Sequence, residues 1–142
     1  MYDYMRSSAC PFDELINASN LSAFGDVKDL NTFVNYLNND HSGIRYWGAM
    51  GLLFLGDRAV PAVKDLKNAL KDESASVVTL AAEALYNLGM RDETENALLN
   101  VLKSQNKYAC GNALNTIDNL EMESSPELVE GVVNMIKNTE MS

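Results

Sequence analysis

The chain has 142 residues, enough for one domain, and 46% of them are hydrophobic, the proportion of an ordinary soluble globular protein. Twenty acidic against 11 basic residues give a net charge of −9, which argues against nucleic acid and other polyanionic partners. The longest apolar run, Trp47 to Leu55, falls well short of the roughly 18 residues that a membrane-spanning helix needs, so no membrane partner is expected.

The opening MYDYMRSSACPFDEL has no apolar core behind a basic start and does not read as a secretory signal. Within it, Phe12, Leu15 and Ile16 predict a short helix. It belongs to a lead-in over residues 1–25, joined through a Ser/Asn-rich connection at Ser19–Ser22 to a repeat domain over 26–142.

The repeat is visible at a fixed offset of 33 residues, where Ser42–Gly56 (SGIRYWGAMGLLFLG) and Ala75–Gly89 (ASVVTLAAEALYNLG) read as copies. Ile44 falls on Val77, Gly48 on Ala81, Gly51 on Ala84, Leu55 on Leu88 and Gly56 on Gly89. A weaker third copy follows 32 residues on, with Asn112-Ala113-Leu114 on Leu80-Ala81-Ala82. A period of this length with small residues inside helices is the mark of a helical solenoid. The units expected are about 26–56, 57–89 and 90–121, with an incomplete cap over 122–142, each unit a leading and a trailing helix.

In unit one, Asp26 is the expected N-cap of a leading helix with the stripe Val27, Leu30, Val34 and Leu37. After a turn at Asn38–His41, Ser42 caps a trailing helix with the stripe Ile44, Trp47, Gly48, Gly51, Leu52 and Leu55, and Gly56 ends it in a left-handed conformation. In unit two, Pro61 fits the first turn of a leading helix carrying Val63, Leu66 and Leu70; Ser74 or Ser76 caps the trailing helix and Gly89 closes it. In unit three, Asp92 and Glu95 have the spacing of a capping box ahead of Leu98, Val101 and Leu102. The trailing helix runs from about Lys107 to Leu120, but Glu121 stands where glycine closed the earlier copies. Ser125-Pro126 then starts a last helix with Leu128, Val132, Met135 and Ile136.

The units differ on the face of each trailing helix that points away from its own leading helix. In unit two that face reads Val78, Thr79, Ala82, Glu83, Tyr86 and Asn87, and in unit three Cys110, Gly111, Leu114, Asn115, Asp118 and Asn119, both at least half polar. In unit one it reads Arg45, Tyr46, Ala49, Met50, Leu53 and Phe54, so that helix is apolar nearly all round and must be covered on both sides. Arg45, Tyr46, Met50, Leu53 and Phe54 are therefore the candidate contact residues, covered either by the N-terminal segment or by another domain or protein.

No catalytic constellation emerges. His41 is the only histidine, which rules out a His-based triad or multi-histidine metal site built from this chain alone, and its place in a turn predicts exposure. Cys10 and Cys110 lie far apart with no CxxC or Cys/His spacing, so zinc is not expected. The acids Asp118, Glu121, Glu123, Glu127 and Glu130 lack the grammar of a calcium loop, and Gly43, Gly48, Gly51 and Gly56 lack that of a phosphate loop. The basic stripe Lys64, Lys67 and Lys71 is interleaved with acids and reads as a solvated face. No cofactor or small-molecule ligand is expected.

The paired-helix units, with Asp72-x-x-x-x-Val77 before a trailing helix and AAEAL at Ala81–Leu85 within it, resemble HEAT-like repeats. Ile44–Ala59 (IRYWGAMGLLFLGDRA), Leu70–Gly89 and Asn112–Glu121 (NALNTIDNLE), with YDYM and FDELINAS in Tyr2–Ser19, are similar to the helical extension at the C-terminal end of bacterial sulfatases. The resemblance implies an all-α fold, an armadillo-like right-handed superhelix of three to four antiparallel helix pairs. It implies a non-catalytic scaffold or interaction module beside an adjoining catalytic domain, periplasmic or secreted. A free-standing repeat protein that binds another protein through its concave face, cytoplasmic in that case, is the alternative. The family's Cys/Ser-x-Pro-x-Arg nucleophile motif is missing: Cys10 runs directly into Pro11, and Ser124-x-Pro126 continues to Leu128. Val78 also departs from the HEAT-like pattern, which usually has an arginine at that place, as Arg45 supplies one unit earlier.

Overall fold

The computed structural model describes residues 11–104, 106–123 and 125–141. The expectations for Cys10 and for Tyr2 through Met5 lie outside the described residues, as does Ser124. The described residues form an all-α chain without strands: α1 (Phe12–Phe24), α2 (Leu30–Leu37), α3 (Ser42–Leu55), α4 (Val63–Ala69), α5 (Ala75–Asn87), α6 (Arg91–Lys103), α7 (Lys107–Asn119) and α8 (Pro126–Glu140). Short 3-10 helices at Val27–Asp29 and Gly56–Ala62 lead into α2 and α4.

Consecutive helices pack as pairs, α2 on α3, α4 on α5 and α6 on α7. The trailing members α3, α5 and α7 touch in that order, α5 also meets α6, and the two terminal helices add α1 on α3 and α8 on α6. One apolar cluster joins the first two pairs through Phe33, Leu52, Leu66, Val77 and Leu85; a second joins α5 to the C-terminal helices through Ala82, Leu98, Leu102, Ala113 and Leu128.

Phe33, Leu66 and Leu98 are the same position of the leading helix in three successive units, and all are fully enclosed. Phe33 was not on the expected stripe, which placed Val27 inside; Val27 is instead 49% exposed in the 3-10 turn that Asp26 caps. The larger ring is accommodated by a smaller partner. A Cβ on Gly51 would lie 2.5 Å from the Phe33 ring, and one on Gly48 would lie 2.6 Å from the Leu37 backbone nitrogen. Where leucine replaces phenylalanine in the later units, Ala84 and Thr116 stand at the position of Gly51.

The turns between paired helices repeat down to individual hydrogen bonds. Asn39 Oδ1 accepts from the His41 N–H at 2.8 Å, Asp72 Oδ1 from the Ser74 N–H at 2.8 Å, and Ser104 Oγ from the Asn106 N–H at 3.4 Å. Such short polar side chains bonded two residues on are turn formers. His41, Ser74 and Asn106 are the three N-caps. His41, not Ser42, is thus the cap of α3: its Nδ1 accepts from the Gly43 N–H at 3.1 Å, and the ring is half-buried rather than exposed. Ser74 holds the cap position of α5 without a side-chain bond.

Helix ends repeat as well. Gly56 and Gly89 both have positive φ, +57° and +86°, at the ends of α3 and α5, but Gly56, with ψ −130°, lies outside the left-handed helical conformation expected of it. Glu121 takes φ +47° at the end of α7, and the Met122 N–H returns to the Ile117 carbonyl as the Met90 N–H returns to that of Leu85. The chain imposes the glycine conformation on a glutamate to preserve the same closure. Three other expectations are corrected. Ser19–Ser22 is not a connection but part of α1, which runs unbroken from Phe12 to Phe24. Pro61 lies inside the 3-10 segment before α4 and not in the first turn of that helix. Asp92 and Glu95 make no capping box; α6 starts at Arg91, and Glu95 accepts a hydrogen bond from Ser125, the N-cap of α8.

Candidate functional site

The five candidate residues sit on α3 but do not form one surface. Arg45 is turned inward and is 8% exposed. Its Nε and Nη2 donate to the two carboxylate oxygens of Asp72 at 2.7 and 3.0 Å, and its Nη1 donates to the Asn39 and Asp40 carbonyls at 3.1 and 2.8 Å. Glu73 lies 3.4 Å from Nη2. The bond to Asp72 is the main reason that the guanidinium is held above its ordinary pKa. Arg45 therefore clamps three things together: its own preceding turn, the start of α3, and the turn between α4 and α5.

Tyr46, Met50 and Leu53 are half-buried. Tyr46 meets Trp47 edge to face at 5.2 Å, and Tyr46 and Leu53 both pack on the main core cluster. Phe54 alone is open, 60% exposed. The helix laid on α3 is α1, with Ala18 and Ser22 buried in the contact. Ser22 Oγ is 2.6 Å from the Trp47 carbonyl and 2.8 Å from that of Ala18, so its one proton ties α1 to α3.

The outer face of α5, read from the sequence as at least half polar, is largely enclosed: Val78, Thr79 and Ala82 are buried and Glu83 is half-buried. The reason is that α6 and α7 pack there, and Thr94 Oγ1 donates to the Ala82 carbonyl at 2.9 Å across the joint. Burial pushes the Glu83 carboxyl above its usual pKa. Between α4 and α6, Lys67 Nζ meets Glu93 at 2.6 Å and holds that carboxyl below its usual value, so one lysine of the basic stripe is paired while Lys64 and Lys71 face solvent.

Among the described residues no group of three or more His, Cys, Asp or Glu side chains is placed to hold a metal, and no helix is long and apolar enough to cross a membrane. Cys110 is a buried thiol 3.5 Å from the Leu102 carbonyl. Of the enclosed polar side chains, Ser22, Arg45 and Thr94 bond across helix joints, while Thr79 and Thr116 donate to the Ser76 and Asn112 carbonyls of their own helices. A comparison with protein-family models gives no match, and neither does a comparison with curated proteins.

Proposed function

We propose that the chain is a HEAT-like solenoid acting as a non-catalytic scaffold or interaction module, and that it is the C-terminal extension of a sulfatase-like hydrolase. One observation carries the repeat reading: the same side-chain-to-backbone bond closes the inter-helix turn at Asn39, Asp72 and Ser104, one period apart each time. The use of Arg45, Thr94 and Cys110 at helix joints supports a structural task for the interior polar groups. The attachment to a sulfatase rests on the likeness of Ile44–Ala59, Leu70–Gly89 and Asn112–Glu121 to that extension. Its partner is then the adjoining catalytic domain, with no nucleic acid, cofactor or small-molecule ligand required. The open ring of Phe54 favours a second reading, a free-standing module that binds another protein.

Reading the genomic sequence upstream of the Met1 codon separates the two. A continuous frame encoding an α/β domain with a Cys/Ser-x-Pro-x-Arg motif supports the extension, and an in-frame stop codon sinks it. Titration of the chain with sulfated sugars tests the scaffold role in either case. A module of charge −9 repels such anions, so no saturable binding is expected at physiological salt, and a salt-sensitive micromolar response would overturn the reading.

A further inference from the structure

The C-terminal helix is the least enclosed of those described. Leu128 is the buried residue of α8, while Val129, Val133 and Ile136 are 49%, 40% and 47% exposed. α8 packs on α6, where a Cβ on Gly131 would lie 2.8 Å from Leu99, but its contact with α7 is slight. Between α7 and α8 runs a groove. Its apolar end is a cavity of 240 Å³ lined by Ile117, Met122, Leu128, Val129, Val132 and Val133. Toward the other end of the helices lies a second cavity of 510 Å³, beside Lys107, Cys110, Leu114 and Met135. In the earlier units a trailing helix fills the corresponding place: α5 lies on α3 and α4, and α7 on α5 and α6. The groove has the position and the apolar lining of a helix seat without its helix.

The chemistry of the rim selects the occupant. Lys107 lines the wider end, but around the 240 Å³ end the rim is acidic: from Tyr108 to Ile136 the chain has no Lys, Arg or His, and its acids in that span are Asp118, Glu121, Glu123, Glu127 and Glu130. All five are exposed, and each is the chain neighbour of a groove residue: Asp118 follows Ile117, Glu121 and Glu123 flank Met122, Glu127 precedes Leu128 and Glu130 follows Val129. A second copy of the chain is a poor occupant. Its exposed apolar helix, α1, carries Asp13 and Glu14 and no basic residue, and would bring like charge to this rim.

We propose that the groove between α7 and α8 seats an amphipathic helix of a partner protein, apolar on the buried side and basic along its flanks. The proposal rests on the interaction-module reading and adds the place and chemistry of a partner. An apolar face laid in a groove supplies the affinity in such complexes, and charge matched along the rim supplies orientation and rate.

The probe is a fluorescein-labelled designed helix of leucine and lysine with leucines at helical spacing, titrated into the full chain. Sister peptides carry glutamate for lysine, or the same residues in scrambled order. Saturable micromolar binding is expected for the Leu/Lys helix alone. Val129→Asp with Val133→Asp, both exposed positions, should weaken it by about tenfold or more. Added acid would strengthen a purely electrostatic attraction, so unchanged or tighter binding overturns the proposal. Replacing Glu121, Glu123 and Glu127 by Gln is the second variant set, expected to weaken binding severalfold and flatten its salt dependence; no change there overturns it too. Phe54→Asp, on α3, should leave binding intact, and an equal loss at that position moves the seat elsewhere and overturns the assignment. Binding of the Leu/Glu or scrambled peptide as tight as that of Leu/Lys overturns it as well. A dimer in sedimentation that the double Asp variant abolishes, with no peptide binding, gives the groove to a second copy instead. The upstream reading frame and the sugar titration decide the module reading separately.

Discussion

Where α3 meets the turn before α5, Arg45 places a buried bidentate ion pair across the joint; where α5 meets the turn before α7, Val78 and Ser104 occupy the same two positions. The backbone frame is common to both, since each turn is closed by the same side-chain-to-backbone bond. The packing is not. α3 lies against α5 more extensively than α5 against α7, and the second joint keeps a groove of 600 Å³ whose lining includes Val78, Ser104 and Asn106. The comparison separates two tasks. Local turn chemistry sets the shape of each unit, and the ion pair sets how tightly one unit is locked to the next.

The largest effect is therefore expected at Arg45. Arg45→Ala leaves Asp72 partly enclosed without its cation and frees two carbonyls, a loss of about 3–5 kcal/mol on the scale of broken buried pairs. Val78→Ala, at the equivalent place in the next unit, removes only buried methyl groups and should cost about 1–2.5 kcal/mol. Denaturant unfolding of the two variants with the parent measures the difference. Equal losses would mean that Arg45 contributes no more than its packing volume.

A second contrast sets α3 against α7 through their glycines. A Cβ on Gly51 would strike the Phe33 ring, and that ring is wedged in the core. Gly51→Ala should overpack the pair and cost about 1–3 kcal/mol. Gly111 in α7 has open space where its Cβ would go. Gly111→Ala should accordingly stabilise by roughly 0.5–1 kcal/mol, because alanine loses less backbone entropy in a helix. Opposite signs in thermal melts would support the difference in packing between the two ends; a stabilised Gly51→Ala would show that Phe33 can yield.

The period, the paired helices and the glycine closures were legible because they recur in the sequence at 33 and 32 residues. Phe33 was legible in principle: carrying Leu66 back by one period lands on it, whereas drawing the stripe from Val27 within a single unit does not. The inward turn of Arg45 was not, since its partner Asp72 belongs to the following unit, and an arginine on an apolar helix reads equally as a surface contact. The outer face of α5 misled for the same reason. A helix in a stack is covered by its successor as well as by its own partner, and composition within one unit does not show that. His41 as a cap escaped because histidine is an unusual cap, and the serine beside it satisfied the rule.

The third comparison sets the end of α7 against that of α5. Both close through a residue of positive φ, Gly89 at +86° and Glu121 at +47°. A side chain in the left-handed region costs about 1–2 kcal/mol, part of which glycine returns through its greater freedom in the unfolded chain. Glu121→Gly should thus stabilise by about 0.5–1 kcal/mol, and Gly89→Ala should destabilise by about 1 kcal/mol or more. Thermal melts of both decide it: a destabilised Glu121→Gly would mean that the glutamate side chain itself supports the closure.

The smallest effects are in acid, where two glutamates, Glu83 in α5 and Glu93 in α6, should respond in opposite directions. Burial raises the Glu83 carboxyl above the ordinary 4.5, so its contribution to stability is fully present below that value and is lost as pH rises through its folded pKa. At neutral pH the ionised group is held where it is poorly solvated, and Glu83→Gln should raise the melting temperature slightly. That gain should vanish in acid, once the native carboxyl is protonated. Glu93, held low chiefly by its hydrogen bond to Lys67, contributes above the ordinary 4.5 and loses that contribution as pH falls through its folded pKa. Glu93→Gln should therefore lower the melting temperature slightly at neutral pH and leave it unchanged in strong acid, a small effect because the pair is partly exposed. Melting curves of both variants at neutral and acid pH test the pair together. If Glu83→Gln destabilises at neutral pH, the carboxylate is gaining more from its surroundings than burial takes away, and the half-buried face of α5 is more polar than its lining indicates.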